Sequence, residues 1–157
     1  MAYFPFVSKK INSSKYDLVH LHWIGQETIS LNDIKSINKP IIWTFHDLWP
    51  ISGAEHISFN NNYLNGYKNS KHSPRGLMIL NSFIWKRKKK LFSKKKINII
   101  VPSKWMKDQV ENSALLNKAL IEVIPNPIDI NLWFPDLSTD IRKKLKISKG
   151  KKIILFG

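Results

Sequence analysis

Five short runs of near-continuous aliphatic and aromatic residues limit what this chain can fold into. They are "YDLVHLHW" (16–23), "PIIWTFH" (40–46), "INIIVPS" (97–103), "LIEVIP" (120–125) and "KKIILFG" (151–157). A strand solvated on one face alternates apolar and polar residues, whereas these runs barely alternate, as strands buried on both faces do. Helical patterns separate most of them. "SLNDIKSIN" (30–38) places Leu31, Ile34 and Ile37 along one face, and "SKWMKDQVENSALL" (103–116) starts with Ser103 as an N-cap directly after Pro102. Strand-helix-strand alternation predicts an α/β fold: a Rossmann-like parallel sheet with helices on both faces.

One segment interrupts this rhythm. Residues 51–75, "ISGAEHISFNNNYLNGYKNSKHSPR", are polar and contain the turn pair Asn65-Gly66. A loop of this length within a compact domain serves a function or is disordered. A helix is predicted after it, from about Gly76 to Lys96, with Leu77, Leu80, Ile84, Lys88 and Leu91 on one side and Phe83 beside them. Beyond residue 123, "IPNPIDINLWFP" (124–135) reads as an ordered crossover, and "STDIRKKLKI" (138–147) as a short basic helix capped by Ser138. The run 151–157 reads as the first strand of another domain. The predicted organisation is therefore a domain over 1–135, followed by a crossover helix and a first strand over 136–157.

Composition removes several classes of function. With no cysteine among 157 residues, the chain has no disulfide framework, thiolate zinc site or cysteine nucleophile, and it suits a reducing cytosol. No apolar run approaches the ~18 residues that a membrane span needs, and the start "MAYFPFVSKK" does not read as a secretory signal. The net charge of +15 favours an anionic partner. Residues 86–96, "KRKKKLFSKKK", hold eight basic residues in eleven. Clustered next to Trp85, Leu91 and Phe92, they suit docking on an anionic membrane face, with Trp85, Lys86, Arg87, Lys88, Lys89 and Lys90 as the expected contacts. A solvated charged face and nucleic-acid binding are the alternatives. No nucleic-acid-binding signature is present.

The candidate chemistry gathers at strand ends. "TFHDLWP" ends an apolar strand with His46 and Asp47, and such C-terminal edges are where open α/β sheets bind ligands. An imidazole there can donate, accept and exchange a proton near neutral pH. Asp47 and Trp49-Pro50 are read as shaping the turn. His20 and His22 lie two apart on a strand and so share a face. We read His20 as packed and His22 as facing the cleft; a metal-dependent hydrolase built on His20, His22 and His46 is a competing reading. Ser103 offers a helix N-terminus to an anion as well as a cap. Asn126 and Asp129 are read as bracing the turn and the crossover.

Taken together, "YDLVHLHW", "KPIIWTFHDLWPISG", "INIIVPSKWMKD", "IEVIPNPIDINLWFP" and "KKIILFG" resemble, in order, blocks of the GT-B glycosyltransferases of family 4. Within that family they are most similar to the bacterial enzymes that build colanic acid, capsule and other surface polysaccharides. The resemblance covers about residues 16–157. It implies two Rossmann-like domains across a cleft, the N-terminal one taking the acceptor and the C-terminal one the sugar nucleotide. It also implies retention of anomeric configuration, no cofactor and no required metal. His46 takes the role of the histidine that reaches the donor sugar. His22, Trp23, Asp47, Trp49, Ser103, Lys104, Asn126 and Gly157 become substrate-binding candidates.

The implied partners are a nucleotide sugar, a saccharide or lipid-linked acceptor and an anionic membrane surface, and the implied location is the cytoplasm, peripheral on the inner face of the membrane. The family's opening strand with its Gly-rich loop, its Glu-x7-Glu motif and the cysteines that this branch carries after "HDLWPISG" have no counterpart here. The expectation is thus an incomplete N-terminal domain that does not turn over alone, with a non-catalytic basic module, binding anionic membrane or a partner subunit, as the alternative.

Overall fold

The computed structural model describes residues 6–25, 28–58, 60–68, 75–116, 119–135 and 140–154. Four strands, β1 (Val19–Leu21), β2 (Ile41–Thr44), β3 (Asn98–Val101) and β4 (Ile121–Val123), form one sheet in the order β1-β2-β3-β4, every pair parallel. The expected α/β Rossmann-like sheet is present. Its ladders are shorter than the apolar runs, because each strand pairs only where a neighbour lies alongside. Single bonds extend the pairing beyond them, such as Phe45 N–H to the Ile100 carbonyl at 2.9 Å.

The helices are α1 (Val7–Asn12), α2 (Leu31–Ser36), α3 (Arg75–Phe92), α4 (Lys104–Asn112) and α5 (Ile141–Lys144). A sheet that grows by one neighbouring strand at each right-handed crossover places its crossovers on one face. Accordingly Ile34 of α2, Trp85 and Leu91 of α3, and Met106 and Val110 of α4 pack with Leu21, Ile41, Trp43, Ile99, Val101 and Ile121 in one core. On the opposite face, Ile42 and Ile100 are half-buried, and His20, Asn98 and Glu122 are exposed. Of the cover expected on both faces, the described residues show this one side.

Local chemistry explains the helix starts. Ser30 caps α2, accepting from Asp33 N–H at 3.0 Å while its hydroxyl donates to the Asp33 carboxylate at 2.5 Å. The same carboxylate accepts from the Ser8 hydroxyl at 2.9 Å, which ties α1 to α2. Ser30's bond is the main reason that Asp33 stays charged below the usual carboxylate range, with Ser8 adding to it against the cost of burial. Sequence reading assigned nothing to α1.

Packing divides the chain into two compact units, 1–126 and 127–157. In the second, Asp129 closes a turn, accepting from Asn131 N–H at 2.9 Å. Asp140 caps α5, accepting from Lys143 N–H at 3.1 Å. The cap expected at Ser138 lies outside the described residues. Among the described residues Lys151–Ile154 pair with no strand, and they are exposed; 155–157 lie outside the described residues.

The polar segment after β2 is an ordered substructure where it is described. Tyr63 and Tyr67 are buried, and a 3-10 turn spans Asn62–Asn65. Gly53 N–H donates to the Tyr67 hydroxyl at 2.7 Å, and that hydroxyl donates to Glu55 at 2.6 Å. Burial first, then the bond to Glu55, pushes the Tyr67 phenol far above its usual range. Ala54 N–H donates to the Asn81 side chain of α3 at 2.8 Å. Residue 53 must be glycine for this approach, since a Cβ there would lie 2.5 Å from the Asn81 Cα.

Lys88 completes the anchor. Its side chain is fully buried, and its ammonium donates to the carbonyls of Trp49, Ser52 (3.1 Å) and Gly53 (2.6 Å) while lying 3.7 Å from the centre of the Trp49 ring. Burial pulls its pKa well below the ordinary lysine value, with Asp47 and Glu55 opposing. Three carbonyl partners match the three N–H donors of an ammonium, whereas a neutral amine has two, so the geometry favours the charged form. Lys88→Met removes those donors and leaves buried carbonyls unpaired. Urea unfolding followed by tryptophan fluorescence should show a loss of about 3 kcal/mol, while Lys86→Met, at an exposed position, should change stability by less than about 0.5 kcal/mol.

Candidate active site

Because all four strands are parallel, their C-terminal ends lie along one edge of the sheet. β1 leads there into His22 and Trp23, β2 into His46 and Asp47, β3 into Ser103 and Lys104, and β4 toward Asn126.

Two clusters form where β1 and β2 end. In the first, His22 Nδ1 lies 3.1 Å from His46 Nε2, so one ring donates and the other accepts, and at least one is neutral. The His20 and His22 ring centroids are 4.2 Å apart, as expected for residues on one strand face. His20, expected to be packed, is instead exposed on the open face of the sheet, with Nε2 2.8 Å from the Thr44 hydroxyl. Partial burial, then the neighbouring charges of His22 and His46, hold its pKa below the usual imidazole value. Among the described residues no group of three or more His, Cys, Asp or Glu is arranged to hold a metal.

The second cluster centres on Asp47. Its Oδ1 accepts from Trp49 N–H at 2.9 Å, which sets the turn after β2 as expected. Its Oδ2 accepts from Trp23 Nε1–H at 3.0 Å and from His56 Nδ1–H at 2.6 Å. The His56 ring lies 5.7 Å from that of Trp23 and 6.4 Å from that of Trp49. Trp23 can fold back this way because residue 25 is glycine: a Cβ there would lie 2.4 Å from its ring. His22, Trp23, His46, Asp47, Trp49 and His56 share one shallow pocket.

Sequence reading missed His56, which sits in a polar loop with no periodicity to flag it. Its signal was chemical, a histidine shortly after His46-Asp47. The remaining candidates lie apart from this pair of clusters. Ser103 caps α4 through Met106 N–H at 3.2 Å, and Lys104 and Asn126 are exposed farther along the edge. Gly157 lies outside the described residues. Two expected membrane contacts need correction: Trp85 is buried with Nε1–H on the Tyr63 carbonyl at 3.1 Å, and Lys88 is the clamp described above. Both fall on the inner stripe of α3. Lys86, Arg87, Lys89 and Lys90 are exposed.

A protein-family model, Glycosyltransferase Family 4, matches residues 1–132. The chain belongs to that family. Comparisons with curated proteins and with solved structures returned no match. Membership makes this a glycosyltransferase domain, which generally works with a nucleotide-sugar donor and an acceptor. Among the described residues, no helix of this family 4 domain is long and apolar enough to cross a membrane.

The histidine row gives a direct test. In an NMR pH titration, His20 should take up its proton at lower pH than a free imidazole. Removing a neighbouring charge, by His22→Ala or His46→Ala, should move that titration upward. The sign for stability follows. The unfolded chain protonates His20 first, so His20 costs stability as pH falls through the usual imidazole range and has no such effect above it.

Proposed function

We propose that this family 4 domain serves a bacterial surface-polysaccharide hexosyltransferase of the colanic acid or capsule type. It supplies the acceptor side of a retaining, metal-independent transfer from a nucleotide sugar to a lipid-linked saccharide. The observation that carries this reading is His46. It stands at the C-terminal edge of β2, bonded to His22 and exposed beside Trp23 and Asp47. A fixed imidazole at that edge can hold a sugar hydroxyl, and an exposed indole offers a pyranose an apolar face. A nucleotide-binding second domain would complete the site and stabilise the departing diphosphate.

The expected assay joins this domain to the nucleotide-binding domain that would complete the site, with UDP- and GDP-sugars and lipid-linked saccharide acceptors. The product should keep the donor's anomeric configuration and form equally in EDTA. His46→Ala should lower the rate roughly a hundredfold, the scale of losing one fixed polar contact to the reacting sugar. An inverted product, loss of turnover in EDTA, or an unimpaired His46→Ala enzyme would each overturn the reading.

The same proposal places the domain on the inner face of the cell membrane. The outer face of α3 supports this, with Leu77, Ile79, Leu80 and Phe83 exposed beside Lys86, Arg87, Lys89 and Lys90. Apolar side chains next to clustered cations suit an anionic interface, each cation adding about 1 kcal/mol near such a surface. The chain should sediment with phosphatidylglycerol vesicles at low salt, and less so in high salt or as the Ile79→Ser, Phe83→Ser variant. Sedimentation indifferent to lipid charge would remove this part.

A further inference from the structure

Asp47 accepts three hydrogen bonds, from Trp49 N–H, Trp23 Nε1–H and His56 Nδ1–H. An ionised carboxylate can only accept, so the proton between Asp47 and His56 sits on His56 Nδ1. In the neutral ring Nε2 is then the acceptor. The His56 side chain is 42% exposed, and its ring lies near the indoles of both Trp23 and Trp49. We propose that His56 binds ligand at this edge, with Asp47 as its positioning residue, and that the pair selects a neutral hydroxyl: the acceptor saccharide, not the donor's diphosphate. This rests on reading the β1–β2 edge as a saccharide site.

The selectivity follows from charge and hydrogen-bond polarity. With the ring neutral, a phosphate oxygen approaching His56 Nε2 meets an acceptor where it needs a donor, with the Asp47 carboxylate behind it. The nearest buried cation cannot compensate, because the Lys88 ammonium is spent on the carbonyls of Trp49, Ser52 and Gly53. A sugar hydroxyl has the proton that Nε2 accepts, and the two indoles offer flat apolar surface to the ring that carries it. The division of labour along the edge is therefore set locally: the His22–His46 pair can both donate and accept, whereas a neutral His56 held at Nδ1 by Asp47 only accepts.

The test uses the chain with 15N-labelled histidine and tryptophan. Long-range 1H–15N correlation at pH 7.5 should show His56 protonated at Nδ1, and Asp47→Asn should populate the Nε2–H form. Methyl glycosides of glucose, galactose and N-acetylglucosamine are then titrated against sodium pyrophosphate. At least one glycoside should shift His56 together with the Trp23 and Trp49 indoles, and pyrophosphate should leave His56 unmoved. His56→Ala should weaken that glycoside about fivefold, the value of one hydrogen bond, and His56→Gln, whose carbonyl can replace Nε2, should recover most of it. An Nε2–H tautomer in the unaltered chain, or pyrophosphate bound at His56, overturns the proposal. Glycosides that shift His22 and His46 but not His56 overturn it while leaving the saccharide reading intact. Glycosides that move no resonance of the edge overturn both.

Discussion

The buried ammonium of Lys88 is the interaction on which the candidate site depends. β2 delivers His46 and Asp47 to the sheet edge, and the turn that follows closes on itself through bonds such as Ser52 N–H to the Leu48 carbonyl at 2.9 Å. Lys88 reaches out of α3 and gathers three of its carbonyls, with the Trp49 ring against the charge. A fully buried cation is costly unless its donors are satisfied, and here each N–H has an acceptor. The result is a turn tied to the longest helix, with Gly53 close against Asn81 and Ala54 bonded to it. Trp49, fixed by this arrangement, then becomes a wall of the pocket beside His56.

The fold was legible in the sequence because its main signal is one-dimensional. Buried parallel strands need continuous apolar runs, and the four paired strands lie inside the runs at 16–23, 40–46, 97–103 and 120–125. A strand forms only with a partner, and among the described residues Lys151–Ile154 of the run at 151–157 pair with no strand. The placement of helices over one face also followed from topology that no single segment encodes. α1 was illegible because its hold on the domain comes from Asn12 and Ser8 bonding residues more than twenty positions away.

The site was legible in part, for a related reason. His22, Trp23, His46 and Asp47 belong to strand ends and can be placed once the strands are known. His56 cannot, because its position comes from the Leu48 N–H bond to its carbonyl at 3.2 Å and from the Asp47 carboxylate. Lys88 was misread for a different cause. In "KRKKK" five cations look alike, and composition suggests one basic face. Helical spacing separates them: Asn81, Trp85, Lys88 and Leu91 fall on the buried stripe at intervals of three and four.

That separation gives α3 two independent faces. Its inner stripe holds the turn behind the site, through Asn81, Trp85 and Lys88. Its outer face carries the exposed apolar and basic side chains. The two are joined by a rigid helix, yet their energetics differ in kind. The inner contacts are short-range and dry, so salt hardly screens them, whereas the outer charges act through water and fade within a Debye length of about 10 Å at 0.1 M salt. Ionic strength should therefore tune whatever the outer face binds without loosening the turn that shapes the pocket. A basic helix can carry two such faces because one of its lysines points inward, its ammonium hydrogen-bonded to backbone carbonyls instead of to solvent.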